Sequence, residues 1–326
     1  MRKLLSLVLF AGVVVPSARA SSDLYNDKPK FDCGTVTSSG SGRWTYEDFG
    51  YGFRFELPSD WVGGQNSIHE PSGPRSFRLE QLFAPSDPNL HPSDGARLGP
   101  TESINGLNWT ALAWPDGMIG SYTYRDGVMV EFVTSPIRLG SNLAVPPESL
   151  AALKQIQSSF TFFDDPYRTD RQLAALKVGQ KLGGLTVTRI VPGAGGSDHP
   201  IATLKFAGQL TLTGHVVLPS PTMGGGWGGY FMADLDGESR SVVPQLKCPV
   251  EGLASVTEWT FGVSFANQQF TNQQFAQVPS IKGNHAWYDV EATVVVDNAS
   301  ETFGNGGMYP EISARLVKVI RKKETQ

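Results

Sequence analysis

Tyr51 to Trp61 reads YGFRFELPSDW. Phe53, Phe55 and Leu57 fall on one side of this stretch, and Arg54 and Glu56 on the other. That period of two predicts a half-buried strand, closed by the turn Pro58-Ser59-Asp60. The flanking text extends the pattern. Ser76–Phe83, SFRLEQLF, is the next strand, and the Pro-, Asp- and Ser-rich stretch from Pro85 to Pro100 reads as a surface loop. Downstream, SINGLNWTALAWPDGMIGSYTYRDGVMVEFVTS yields three strands joined by Pro115-Asp116-Gly117 and Asp126-Gly127, both hairpin-type turns. Pro146 and Pro147 then open a helix, because a ring-locked φ suits its first turn. Leu150, Leu153, Ile156 and Phe160 recur at three- and four-residue steps and predict an apolar stripe lying on a sheet. Residues 43–165 are therefore expected to be an α+β domain, an antiparallel sheet covered by its C-terminal helix.

PYRTDRQLAALKVG follows as a linker, residues 166–179, with a short helix capped by Asp170 and ended at Gly179. Beyond it the pattern becomes purely alternating. Leu210, Leu212, Val216 and Leu218 share one side of a strand, as do Val290, Ala292, Val294 and Val296. Six strand-like runs separated by turn residues, with no long amphipathic helix, predict an all-β sandwich or barrel over residues 180–322.

Arg2 and Lys3, an apolar run from Leu4 to Val15, Pro16 and then Ala18-Arg19-Ala20 form the pattern of a secretory signal over residues 1–20. Its apolar run is shorter than the roughly 20 residues a bilayer requires. Residues 21–42 are polar and rich in Ser and Gly, and are expected to be a flexible leader, with structure starting at Arg43. The chain carries 27 Lys and Arg against 31 Asp and Glu, a net charge of −4. Three of those basic residues and none of the acids lie in the signal, so the exported chain is more acidic still. An acidic protein without a basic cluster argues against nucleic acid or an anionic membrane surface as partner, and no membrane insertion is expected after signal cleavage. Export would place Cys33 and Cys248, the 2 cysteines, in an oxidising compartment, periplasmic or extracellular. There they form either a disulfide joining the N-terminal segment to the second half of the chain, or two separate thiols.

The first domain resembles the Mog1/PsbP-like family through YGFRFELPSDW, the hairpin YTYRDGVMVEFV and the helix ending KQIQSSFTF. These follow that family's order of an aromatic-rich opening hairpin, a sheet and a closing helix before SFxF. The resemblance implies a role in binding or assembling larger complexes and transfers no site residue. The second domain resembles β modules of bacterial envelope proteins through KFAGQLTLTGHVV and EATVVVDN, without an implied function.

Motifs for chemistry are sparse. In PTMGGGWGGYFMADLD, Gly224, Gly226 and Gly229 fit G-x-G-x-x-G. A dinucleotide loop requires a following helix, whose N-terminal amides hold the phosphate, whereas YFMADLD reads as a strand. The stretch is better read as a hairpin loop presenting Trp227, with no cofactor expected. His69, His91, His199, His215 and His285 lack metal-ligand spacing, and neither G-x-S-x-G nor S-x-x-K occurs. Asp164-Asp165 and Asp234/Asp236 are the nearest approaches to paired acids. Trp227, Trp287 and Trp114 lie near turns and are candidate contacts for a ligand or partner, since an indole on a loop offers an apolar face with a polar edge. The leading expectation is an exported, non-catalytic protein that binds or assists another envelope component. A carbohydrate-binding module and a hydrolase with a site built from distant residues are the alternatives.

Overall fold

The computed structural model describes residues 33–38, 44–57, 61–63, 67–70, 76–83, 95–139, 142–195, 200–219, 230–233, 238–249, 263–275, 287–303 and 311–324. The signal and most of the leader lie outside these residues. In the leader, strand begins earlier than Arg43. β1 (Gly34–Ser38) pairs antiparallel with β2 (Trp44–Asp48), which pairs with β3 (Phe53–Glu56). β4 (Val62–Gly63), β5 (Ser67–His69), β6 (Ser76–Phe83), β7 (Arg97–Ile104) and β8 (Leu107–Ala113) follow. β9 (Ile119–Arg125), β10 (Val128–Thr134), the small hairpin β11 (Ile137–Leu139) and β12 (Asn142–Ala144), α1 (Pro147–Ser159) and β13 (Thr161–Phe162) complete the first unit.

The expected α+β class is overturned: the first unit is mostly β. A four-stranded sheet, β1-β2-β3-β13, faces a seven-stranded one, β4-β5-β6-β10-β9-β8-β7. Tyr46, Phe53 and Phe55 from the first sheet meet Phe77, Trp109 and Phe132 from the second in one core. α1 starts at Pro147 as expected but adds only Ala152, Leu153 and Ile156 to that core, with Phe160 just beyond its end. Leu150, placed on the same stripe by its spacing, is 46% exposed. Period-two alternation identifies individual strands but not how many layers they form. The second layer depends on β1 and β13, which flank the unit in sequence and carry no long alternating pattern of their own.

The linker helix α2 (Thr169–Ala175) begins after Arg168 rather than at Asp170. Asp170 instead accepts two hydrogen bonds from the buried Arg168 guanidinium, at 3.1 and 2.8 Å. Arg168 also donates to the Asp126 carbonyl in the β9–β10 turn at 2.9 Å, and the Thr169 N–H to Gly50 O at 2.9 Å. Adjacent to this anchor, the Gln172 side chain bonds Lys247 in both directions, 2.9 Å to its carbonyl and 2.7 Å from its N–H. Cys248, the next residue, forms the disulfide with Cys33, with Cα atoms 5.6 Å apart. The linker is thus bonded to the units on either side of it.

The second unit contains β14 (Lys181–Leu182), β15 (Leu185–Pro192), β16 (Ala202–Ala207), β17 (Gln209–Pro219) and β18 (Tyr230–Ala233). α3 (Glu238–Val242), β19 (Val263–Phe265), α4 (Gln268–Phe275), β20 (Trp287–Phe303) and β21 (Glu311–Glu324) complete it. Hydrogen bonding runs β20-β17-β18-β19-β21, and β21 pairs back onto β20, so five strands close into a barrel. β16, β15 and β14 continue outward from the end of β20. Leu212, Phe231, Val263, Val294 and Ile312 fill the barrel, each 0% exposed. Closure requires long strands to bend, and three register shifts interrupt the β20–β21 ladder for that purpose. Asn298, at φ 47, sits in the third of them. Gly183 (φ 58) lets the β14–β15 turn press against α3: a Cβ there would stand 2.4 Å from Val243 O.

On the outside of the barrel Arg315 clamps Asp297 across β20–β21, Nε to Oδ1 at 2.8 Å and Nη2 to Oδ2 at 2.7 Å. The hydrogen bonds from Arg315, more than its charge alone, hold the Asp297 carboxyl below the ordinary aspartate range. A depressed folded-state value stabilises the fold above the ordinary range, and that stabilisation is lost as pH falls through the depressed value. We expect an NMR titration of the Asp297 carboxyl to show a low midpoint that rises toward the ordinary range in Arg315→Leu; a midpoint unmoved by the substitution would contradict the clamp.

Candidate functional site

The residues singled out for contact fall differently. Trp227, and with it the three glycines of the G-x-G-x-x-G match, lies outside the described residues. Trp287 opens β20 opposite Pro219 of β17. Trp114 is 9% exposed and packs with Leu112 and Val133 in a small cluster on the outer side of the seven-stranded sheet, so it presents no open indole face. Trp109, five residues earlier and on the opposite face, is in the main core.

Asp164, Asp165 and Asp48 are engaged in structure. Asp164 bonds Arg171, and Asp165 accepts the Tyr167 N–H at 2.7 Å, so these neighbours are not paired across a cleft. Asp48 is 0% exposed. Its carboxylate accepts the Tyr51 N–H at 3.0 Å and the Tyr46 hydroxyl at 3.3 Å, which folds the β2–β3 turn. Burial pushes the Tyr51 phenol well above its usual range, and the adjacent Asp48 charge adds to the shift, so Tyr51 stays protonated. Asp234, Asp236, His91, His199 and His285 lie outside the described residues. His69 is in β5 and His215 in β17. Among the described residues no three His, Cys, Asp or Glu side chains group as a metal site would need, and no helix is long and apolar enough to cross a membrane.

The feature that stands out is β7. Its first half, Arg97–Pro100, falls where the sequence predicts a surface loop, yet β7 forms a strand of 8 residues, seven of them exposed and Ile104 half-buried. It is the last strand of its sheet, so among the described residues its outer edge has no neighbour. Three contacts hold it in place. Asn105 and Gly106 turn the chain at φ 51 and 75, the left-handed pair that a two-residue hairpin uses. Asn105 Nδ2 donates to Phe160 O at 3.0 Å, tying that turn to the end of α1. Lys154 of α1 bridges to Glu102 at 2.5 Å, although both side chains are more than half exposed and such a pair contributes little energy.

The direction of the free edge follows from the register. Ile104 pairs with Leu107 beside the turn, Ser103 with Asn108, Glu102 with Trp109 and Thr101 with Thr110. Antiparallel ladders alternate bonded and non-bonded pairs, and the pair flanking a two-residue turn is bonded. Ile104 and Glu102 therefore bond inward to β8, and Thr101 and Ser103 turn both N–H and C=O outward. Past Thr101 the ladder shifts register at Gly99-Pro100, which ends the regular edge. The signal for β7 was available in Asn105-Gly106, a strong short-range hairpin marker between alternating residues.

No family model and no curated protein matches this chain. Among solved structures it is similar to the solution structure of cyanobacterial PsbP (CyanoP) from Synechocystis sp. PCC 6803. That match has 14% identity and a TM-score of 0.28, and it covers 39% of this chain and 98% of the other. It is to a PsbP-like protein, as the first unit's motifs imply, and at this score it decides neither fold nor function.

Proposed function

We propose that this is an exported, non-catalytic binding protein that docks another protein of the cell envelope, and that β7 is the strand it offers. The observation that carries the reading is a long strand, exposed on both faces, whose outer backbone groups at Thr101 and Ser103 are held in extended geometry with nothing bonded to them among the described residues. Native sheets usually shield such edges, because they pair with other chains. Held rigid by its turn and by Asn105, this edge suits strand addition: an extended segment of the partner gains ladder bonds without first ordering the acceptor. The side chains of Thr101, Glu102 and Ser103 are polar, so the segment received is polar or mixed in character. The Cys33–Cys248 disulfide is consistent with an oxidising compartment, as is the signal pattern of residues 1–20.

The test uses proline. Ser103→Pro removes an outward N–H and leaves the β7–β8 ladder intact, whereas Glu102→Pro removes an inward one. Photocrosslinking from position 101 in intact cells is expected to give one reproducible envelope-protein adduct. Ser103→Pro should abolish that adduct while changing stability by no more than about 1 kcal/mol. An adduct that persists in Ser103→Pro, adducts only to a second copy of this chain, or none at all would overturn the proposal.

A further inference from the structure

The outer side of the barrel holds a cavity of about 400 Å³. Gln209, Thr211 and Thr213 reach it from β17, Thr293 from β20 and Ser239 from α3. Every polar group in this lining is uncharged, and each hydroxyl both donates and accepts. An anion or cation bound here would lose hydration without meeting a formal charge. A neutral molecule that itself alternates donors and acceptors would exchange water for matched bonds. The lining also has an aliphatic part, Val242, against which a C–H face can lie. We infer that this cavity binds an uncharged polyhydroxylated ligand, a neutral mono- or disaccharide.

Three details show that the polar groups are held in position. Thr213 and Thr293 hydroxyls share a hydrogen bond at 3.1 Å across the β17–β20 pair. Ser239 Oγ accepts the Thr213 N–H at 3.2 Å, which orients its own proton. Gln209 stands opposite Asp297 across the same strand pair, and Arg315 holds that carboxylate in place. Rotors fixed in this way lose less freedom on binding. Gly184 keeps one wall low: a Cβ there would meet Leu210 Cδ2 at 3.0 Å and Val242 O at 3.2 Å. The size falls within the range of sites for small ligands, roughly 300–1,000 Å³. This site is independent of β7, and its test does not require a protein partner.

The experiment is calorimetric titration of the disulfide-bonded full chain with cellobiose, maltose and N,N′-diacetylchitobiose. At least one is expected to bind saturably, with affinity unchanged by added salt because no formal charge is met. Thr211→Val and Thr293→Val each remove one hydroxyl at nearly constant shape on a strand, and each should weaken binding about tenfold. Thr188→Val, on an exposed position of β15, should leave it unaltered. Three flat titrations would overturn the inference, as would binding untouched by Thr211→Val and Thr293→Val. Tighter binding of glucuronate or glucosamine than of the neutral sugars would overturn it too.

Discussion

Replacing Cys33 and Cys248 together by serine is expected to destabilise the protein by up to about 5 kcal/mol, the largest single effect anticipated for any change to this chain. The bond spans a sequence separation of 215 residues. A crosslink of that span removes a large share of the conformations open to the unfolded chain, and the cost of closing a loop grows with the logarithm of its length. The folded state loses less, because Arg168, Gln172 and the Lys247 backbone still connect the linker to both units. Scanning calorimetry should show the main transition lowered by on the order of 10 °C in the double serine variant. Cys33 is 4% exposed, so mild reductant should act on the native protein slowly and only as it opens. A midpoint equal to that of the parent would show that the bond constrains nothing the fold does not already hold.

Phe160→Ala is the second large change, expected to cost about 4 kcal/mol. Phe160 is fully buried where α1 meets both sheets. Its ring stacks on Phe53 at 5.4 Å and meets Trp109 edge-on at 5.3 Å, Phe132 at 6.1 Å and Phe162 at 5.0 Å. Truncation loses the transfer energy of the ring, its aromatic pairings, and the packing of a cavity that rigid neighbouring rings cannot fill. Leu150→Ala supplies the contrast. It lies on the same helical stripe by spacing but is half exposed, and should shift stability by less than about 0.5 kcal/mol. Urea denaturation followed by Trp fluorescence measures both. Equal losses at the two positions would contradict the placement of α1.

The contrast between Phe160 and Leu150 also marks where sequence reading stops. Spacing at three and four residues identifies a helix and ranks its faces, but a stripe includes positions that overhang the sheet edge. Ser76–Phe83 was legible as β6 to the residue, because alternation is a local property and Phe77, Leu79 and Phe83 are all buried on one side. β7 was not legible as a strand, because an edge strand exposed on both faces has no apolar alternation to read. The candidate docking edge is therefore the element that hydrophobic periodicity is blind to, and only its Asn105-Gly106 turn left a trace. The polar cavity was equally hidden. Gln209, Thr211 and Thr213 are ordinary outward residues until β20 and α3 bring Thr293 and Ser239 beside them. Trp114 shows the converse, a residue conspicuous in the sequence that packing consumes.

By itself the amino-acid sequence determined the alternating runs, the glycine turns and the helix start at Pro146-Pro147, since each depends on residues within a few positions of one another. It left the state of Cys33 and Cys248 open, because two cysteines distant along the chain become neighbours only when the units between them have folded. Tertiary structure alone decided that bond, the pairing of two sheets in place of one sheet under a helix, and the closure of β21 onto β20. Each of these is a contact between segments far apart in sequence, set by which buried faces fit together, and no local pattern encodes that choice.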